Sequence, residues 1–216
     1  MPRGALIVIE GLDRAGKTTQ CALLESRLYN SRLIKFPDRT TPIGQVINTY
    51  LTTDSDSDSS PLLEDHAIHL LFSANRWEAL PSLLASLEAG ETLILDRYIY
   101  SGIAFSIAKG TLGYEYARAP DVGLPSPDAV VFLDLPVDVA KGRAGFGGER
   151  YERSDVQERV RGCFDEVRRR EGAGERHGWW TVVDAGQGIE KVAEMVEDLA
   201  VRAMIWAKKN ELRRIE

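Results

Sequence analysis

Cysteine is scarce in this chain of 216 residues: only Cys21 and Cys163 occur, in separate segments with helical patterning and never as a C-x-x-C pair. That argues against a disulfide framework and against a thiolate zinc site, and both thiols are expected in the core or on a helix face. Histidine is almost as rare. Of three, His66 and His69 stand at helical i, i+3 spacing, but no further histidine or acidic partner completes a ligand set, so the pair is expected to be structural. Long apolar runs are missing too. Even GALIVIEGL is interrupted by a glutamate and glycines, far short of the ~20 residues that span a bilayer. The opening MPRGALIVIE has no charged leader, apolar stretch and cleavage site in succession, so it reads as a first strand. The expected compartment is the cytosol, with the nucleus as a second. A basic surplus is also lacking. The net charge of −6 disfavours a nucleic-acid surface, and any polyanionic ligand must meet cations focused in a cleft.

What is present suits one large core. With 44% apolar and 28% charged residues and no separating linker, residues 1–216 are expected to form a single domain. GALIVIE (4–10) is a short apolar run, followed by a glycine-rich turn and the helix former GKTTQCALLESRLY. A second strand is expected near Leu33 to Phe36, a loop between Pro37 and Pro42, and a helix from Ile43 to Leu51. TTDSDSDSS has no hydrophobic face, and its acidic part at 54–60 reads as a surface loop. Leu62 to Ala89 is helical by apolar spacing, with a bend near Pro81, and ETLILD is another buried strand. DAVVFLDL (128–135), a helix start at Val137 to Arg143, the glycine-rich AGFGGERYE, a helix from Ser154 and TVVDA (181–185) follow. An amphipathic helix from Ile189 to about Lys208 closes the pattern, and the tail KKNELRRIE is expected to extend it or fray. Alternating strands and helices predict an α/β fold, a parallel sheet covered on both faces, with ligands at the carboxyl ends of the strands.

The most specific signal is Gly11-Leu12-Asp13-Arg14-Ala15-Gly16-Lys17-Thr18, which fits G-x-x-x-x-G-K-[ST] between an apolar strand and a helix start. Glycines let backbone N–H groups close around phosphate oxygens, the helix N-terminus adds positive potential, Lys17 reaches the transferred phosphate and the Thr18 hydroxyl can ligate magnesium. Such a loop serves GTPases, motors, kinases and passive binders alike. No N-K-x-D is present to read guanine, and a motor ATPase would need more chain.

The segments GLDRAGKTTQ, FPDRTTPIG, HLLFSANRWE, LDRYIYSGIAFS, GLPSPD and GFGGERYE occur in the order found in thymidylate kinases, and the chain resembles the eukaryotic type of that family, with D-R inside the P-loop. The resemblance spans residues 11–152. It implies a five-stranded parallel core in the three-layer P-loop NTPase fold, a homodimer, ATP and dTMP as substrates, and magnesium. It further implies that Gly11 through Thr19 hold ATP, with Arg143 beside the adenine. Arg39 and Arg97 hold the acceptor phosphate, Asp13 contacts the acceptor sugar's 3′-hydroxyl, Leu51, Gly102 and Phe105 line the acceptor pocket, and Tyr151 lies near the sugar.

Chemistry agrees with that assignment. The acceptor phosphate has a second pKa near ~6 and needs no general base. The obstacle is bringing polyanions together, since like charges ~4 Å apart repel by about 1 kcal/mol in water and ~4 at an effective dielectric of ~20. Lys17 and Arg14 on the donor side, Arg39 and Arg97 on the acceptor side, and magnesium reached by Thr18 and Asp96 form the expected clamp, with Arg14, Lys17, Asp96 and Arg97 as the catalytic set. Asp96 ends an apolar strand, which places it to reach magnesium through water; the alternative is an aspartate that merely caps a turn. Phe72 and Arg76, four apart on a helix, can present a stacking ring and a forked donor together. An arginine aimed at thymine O4 would meet an amino donor in cytosine and be left unpaired. A core phenylalanine and an ion-paired surface arginine fit the same spacing. Residues 143–153 read as a lid or as a solvated loop, and sequence does not divide the work among Arg14, Arg143, Arg150 and Arg153. Two rivals remain. A deoxynucleoside kinase would want a carboxylate base instead of the Arg39 and Arg97 clamp, and a non-catalytic P-loop binder would have no use for Lys17, Thr18, Asp96 and Arg14 together.

Overall fold

All six residues of the first strand, β1 (Leu6–Gly11), are buried, because helices cover both faces of the sheet that it centres. Side chains alternate along a strand, so Leu6 and Val8 join one apolar cluster and Ile7 and Ile9 the other. The computed structural model describes residues 2–53, 63–143, 150–151, 153–172 and 179–216. The acidic segment expected as a loop at 54–60 and most of the expected lid at 143–153 lie outside the described residues.

Four more strands complete the sheet: β2 (Ser31–Lys35), β3 (Thr92–Asp96), β4 (Ala129–Asp134) and β5 (Trp179–Asp184). Their order is β2-β3-β1-β4-β5, and every pair is parallel. The helices are α1 (Lys17–Arg27), α2 (Pro42–Thr52), α3 (Asp65–Glu88), α4 (Ile99–Ile107), α5 (Tyr114–Arg118), α6 (Val137–Lys141), α7 (Ser154–Glu171) and α8 (Ile189–Ala207), with a 3-10 turn at Ala119–Asp121. On one face, Leu83, Ile103 and Phe164 of α3, α4 and α7 pack against Leu6, Leu95 and Val130. On the other, Cys21 and Leu24 of α1 and Val192, Val196 and Ala200 of α8 cover Ile9, Ile94 and Val131. From β1 the chain crosses to β2 on one side, and from β3 it crosses over β1 to β4 on the other, so a crevice opens at the carboxyl ends of β1 and β3.

Local signals account for several boundaries. Thr41 caps α2 by accepting the Gly44 N–H at 3.0 Å, with Pro42 in the first turn, a position where its missing N–H costs nothing. Gly16 caps α1 at φ 101°, a conformation that glycine adopts without penalty. α3 runs unbroken through Pro81.

One helix has no counterpart in the sequence reading, and one expectation needs correction. Patterning did not mark α4, whose residues Ile99, Tyr100, Ser101, Ile103, Ala104 and Ser106 are all buried. The tail neither extends α8 nor frays. It turns back so that Ile215, 1% exposed, exchanges backbone hydrogen bonds with Gly123 and Leu124 and packs into the first cluster.

Candidate active site

The end of β1 feeds directly into the P-loop, and Lys17 opens α1, buried against it. Its Nζ donates to the Leu12 carbonyl at 2.6 Å. Burial, reinforced by the nearby Arg97 cation, lowers the Lys17 pKa to about 8. Thr18 Oγ1 donates to Asp96 Oδ2 at 2.8 Å, while Asp96 Oδ1 is buried with no hydrogen-bond partner among the described residues. A hydroxyl and an unsatisfied carboxylate oxygen at the end of β3 fit the oxygen ligands of a magnesium ion and its waters. Arg14 stands at φ 64°, and its carbonyl accepts from Arg143 Nη1 at 2.7 Å. Arg143 Nη2 also donates to the Ala185 carbonyl at 3.3 Å, bridging the P-loop to the turn after β5.

Beside the P-loop, Arg97 follows Asp96 at φ 71°, a left-handed conformation that costs about 1–3 kcal/mol unless the surroundings enforce it. They do. Its N–H donates to the Ile9 carbonyl at 3.1 Å, and Glu10 Oε1 accepts the next N–H, from Tyr98, at 2.9 Å. The guanidinium of Arg97 then reaches the Gly11 carbonyl at 3.1 Å, Ser101 Oγ at 3.0 Å and the Asp13 carboxylate. Burial alone would raise the Asp13 pKa, but Arg97, Lys17 and a hydrogen bond from Gln157 outweigh it and hold the carboxyl below its usual range.

These groups open onto a cavity of about 470 Å³. Part of its lining comes from α3. Phe72 lines it, and so does Arg76, whose side chain is 3% exposed. Arg76 is therefore ion-paired, but in the interior and not at the surface. Its Nε and Nη2 grip Asp121 at 3.0 and 2.6 Å, while Nη1 makes no hydrogen bond among the described residues and the guanidinium borders the cavity. Gly102 of α4 makes room for it, since a Cβ there would lie 2.8 Å from Arg76 Nη2. Arg39, on the loop after the cis Phe36–Pro37 peptide, donates to Asn48 at 2.9 Å and lines the same cavity. Leu51, Phe105 and Tyr151 also line it, with the Phe105 and Tyr151 rings 5.4 Å apart and Arg97 5.3 Å above Phe105.

Asp13, Arg14, Gly16, Lys17, Thr18, Thr19, Arg97 and Arg143 are thus brought to one cavity with the expected acceptor residues. Leu12 and Ala15 are not: both side chains are buried, and only their backbone shapes the loop. Gly11 contributes its carbonyl to Arg97. Of the four arginines left undivided by sequence, Arg14 and Arg143 face this cavity. Arg150 lies over the Tyr50 ring at 4.5 Å and borders, with Arg153, a separate side cavity. The two histidines diverge: His66 pairs with Glu64 at 2.6 Å, and His69 meets Ser106 at 2.7 Å. Burial lowers the His69 pKa to about 4.

Four contributors were not singled out from sequence. Asn75 holds the Arg39 loop, accepting from Asp38 N at 2.7 Å and donating to Thr41 Oγ1 at 3.1 Å. Asp121 orients Arg76. Gln157 binds Asp13 from α7. Glu10, fully buried, accepts the Tyr98 and Ser101 N–H groups and the Ser101 hydroxyl, and burial raises its pKa. Only Glu10 carried a readable signal, a carboxylate inside an apolar strand that had to find donors there.

Comparison with known proteins gives a consistent set of relatives. A family model described as thymidylate kinase matches residues 9–196. A thymidylate kinase of Danio rerio is 47% identical over 202 residues, spanning 92% of this chain and 90% of the relative. A Homo sapiens thymidylate kinase is 43% identical over 214 residues, spanning 97% and 96%. Among solved structures, the thymidylate kinase of Candida albicans superimposes with a TM-score of 0.87 at 38% identity, covering 100% of both chains.

Proposed function

Because the chain belongs to the thymidylate kinase family, we propose that it transfers the γ-phosphoryl group of ATP to dTMP, giving dTDP and ADP. The observation that carries this reading is a single cavity lined together by the P-loop residues Lys17 and Thr18, by Phe72 and Arg76 of α3, and by Arg97. In this reading donor phosphates and acceptor base are held by different elements, with cations lining the cavity that they share.

In this reading the P-loop backbone and Lys17 bind the donor phosphates, and Arg143 lies toward the adenine. Thr18 and Asp96 would hold a magnesium ion, which when bound supplies charge neutralisation across the phosphates. Arg39 and Arg97 bind the acceptor phosphate, and Arg14 stabilises charge on the group in transfer. Phe72 stacks the base while Arg76 presents a donor to it. Asp13 accepts from the sugar 3′-hydroxyl, beside Tyr151. No base need deprotonate the nucleophile, because the acceptor phosphate is already largely ionised at neutral pH. A sugar-hydroxyl acceptor would want a carboxylate base, whereas the Arg39 and Arg97 cations that line this cavity suit an acceptor that already carries a phosphate. The nucleoside-kinase alternative is therefore not favoured.

The active form is proposed to be a homodimer joined along α3, where Leu70 and Trp77 lie two turns apart on one exposed face. Among the described residues no helix is long and apolar enough to cross a membrane.

The test is ADP release from ATP and magnesium with dTMP, dUMP, dCMP, AMP and thymidine as parallel acceptors. Turnover confined to dTMP and dUMP is expected. Preference for thymidine would replace this reading with nucleoside phosphorylation, and binding of ATP without turnover on any acceptor would leave a passive binder.

A further inference from the structure

Gln157 sits near the start of α7, 1% exposed, and none of the chemistry above uses it directly. Both ends of its amide are nonetheless committed to the P-loop. Its Oε1 accepts the Asp13 N–H at 3.1 Å, and its Nε2 donates to Asp13 Oδ2 at 2.7 Å and to the Tyr151 carbonyl at 2.8 Å. Only one orientation of the amide satisfies this set, because the carboxylate and the carbonyl demand a donor while the N–H demands an acceptor. The other Asp13 oxygen is taken by Arg97. The carboxylate is thus held from both sides at the cavity edge, in a plane fixed by two partners that approach from different elements.

We propose that Gln157 is a positioning residue for the acceptor sugar: by clamping backbone and carboxylate of Asp13 and tying them to Tyr151, it sets the direction in which Asp13 accepts the 3′-hydroxyl. The proposal rests on the reading of Asp13 as the sugar's partner. A carboxylate free to rotate would still carry its charge, but its accepting lone pairs would no longer stand where a hydroxyl meets them, and the Tyr151 backbone would lose its tie to the P-loop. The effect belongs to acceptors that possess the hydroxyl.

The experiment is a cycle between residue and substrate. The kcat/KM of wild type, Gln157→Leu and Gln157→Glu is measured with dTMP and with its analogue lacking the sugar 3′-hydroxyl, alongside thermal unfolding of each protein. Gln157→Glu keeps the shape but replaces the donor with a second carboxylate oxygen facing Asp13, so it serves if the leucine variant fails to fold. Both variants are expected to lose roughly tenfold with dTMP and less than about twofold with the analogue, the size of an unmade buried hydrogen bond. Equal losses on both acceptors would overturn the proposal, since a purely structural residue does not distinguish them. Wild type indifferent to the missing hydroxyl would overturn the Asp13 reading itself, a result visible before any variant is compared.

Discussion

Lys17 shows how one residue's surroundings tune it for a ligand that arrives charged. Burial and the neighbouring Arg97 depress its pKa to about 8, so the ammonium is disfavoured in the folded protein relative to the unfolded chain. That cost to stability is fully present below pH 8 and fades as pH rises from the folded value toward the unfolded one. Phosphate oxygens reverse the balance by favouring the charged form. ATP binding at a pH near the depressed value is therefore expected to take up about half a proton, falling toward none two pH units lower. Calorimetry in buffers of different ionisation enthalpy measures this, and a heat independent of buffer would show Lys17 already fully charged. Arg14, on the same loop, faces the cavity from a left-handed backbone position. Arg14→Ala is expected to lower kcat by about 10²–10³, the typical cost of one transition-state donor, with the dTMP KM changed by less than about threefold. Unchanged turnover in steady-state assays would remove Arg14 from the catalytic set.

At the scale of elements, α4 sets how much room is left for Arg76 on α3, the proposed base wall. Gly102 is a helical glycine, where alanine would ordinarily stabilise the helix by roughly 0.5–1 kcal/mol. Here the added methyl carbon would press on Arg76 Nη2 at 2.8 Å, and Arg76 has little room to retreat because Asp121 holds it by two hydrogen bonds. Gly102→Ala should accordingly leave the melting temperature nearly unchanged while raising the dTMP KM by about 10–100-fold and narrowing the preference over dCMP, as one bidentate base contact is worth ~1–3 kcal/mol. Equal kinetics of variant and wild type would show that Arg76 does not face the base. The same helix explains what sequence could reveal. β1, the P-loop and α1 were legible because the whole device is local, three consecutive pieces of chain with their own turn residues and periodicity. α4 was not, because it is buried on nearly every side and so has no polar face to give a helical period. Its N-terminus is held by Glu10 from another strand, not by a capping residue of its own. Asn75, Asp121 and Gln157 escaped for a related reason: each acts on a residue 34 or more positions away, and no local pattern encodes a distant hydrogen bond. The return of Ile215 to Gly123 and Leu124 is likewise a long-range event, decided by an apolar slot rather than by the charged tail around it.

For the whole molecule, a net charge of −6 coexists with a cavity bordered, among the described residues, by eight lysine and arginine side chains but only two carboxylates, those of Asp13 and Asp96. The negative exterior leaves that positive cleft as the place where phosphates settle. α3 links this interior to the outside. Its inner side carries Phe72, Asn75 and Arg76, and its outer side exposes Leu70 and Trp77. Tyr116, edge-on against His66 at 4.8 Å, extends that strip to the N-terminal end of the helix, and Trp77 Nε1 is satisfied by the Pro120 carbonyl at 2.7 Å. A strip of this kind, broken by few charges, fits a second copy of the same surface, which a two-fold axis would pair with itself. Wild type is therefore expected to sediment at twice the chain mass, and Leu70→Asp at a single chain mass. The aspartate would be solvated in the monomer, so unfolding of the separated chain should shift by no more than about 0.5 kcal/mol. Because the dimer would brace the helix that presents Phe72 and Arg76, the separated variant should also bind dTMP more weakly while its ATP KM holds. Wild type already running as a monomer in velocity sedimentation would sink the dimer, and with it the idea that α3 transmits assembly to the base wall.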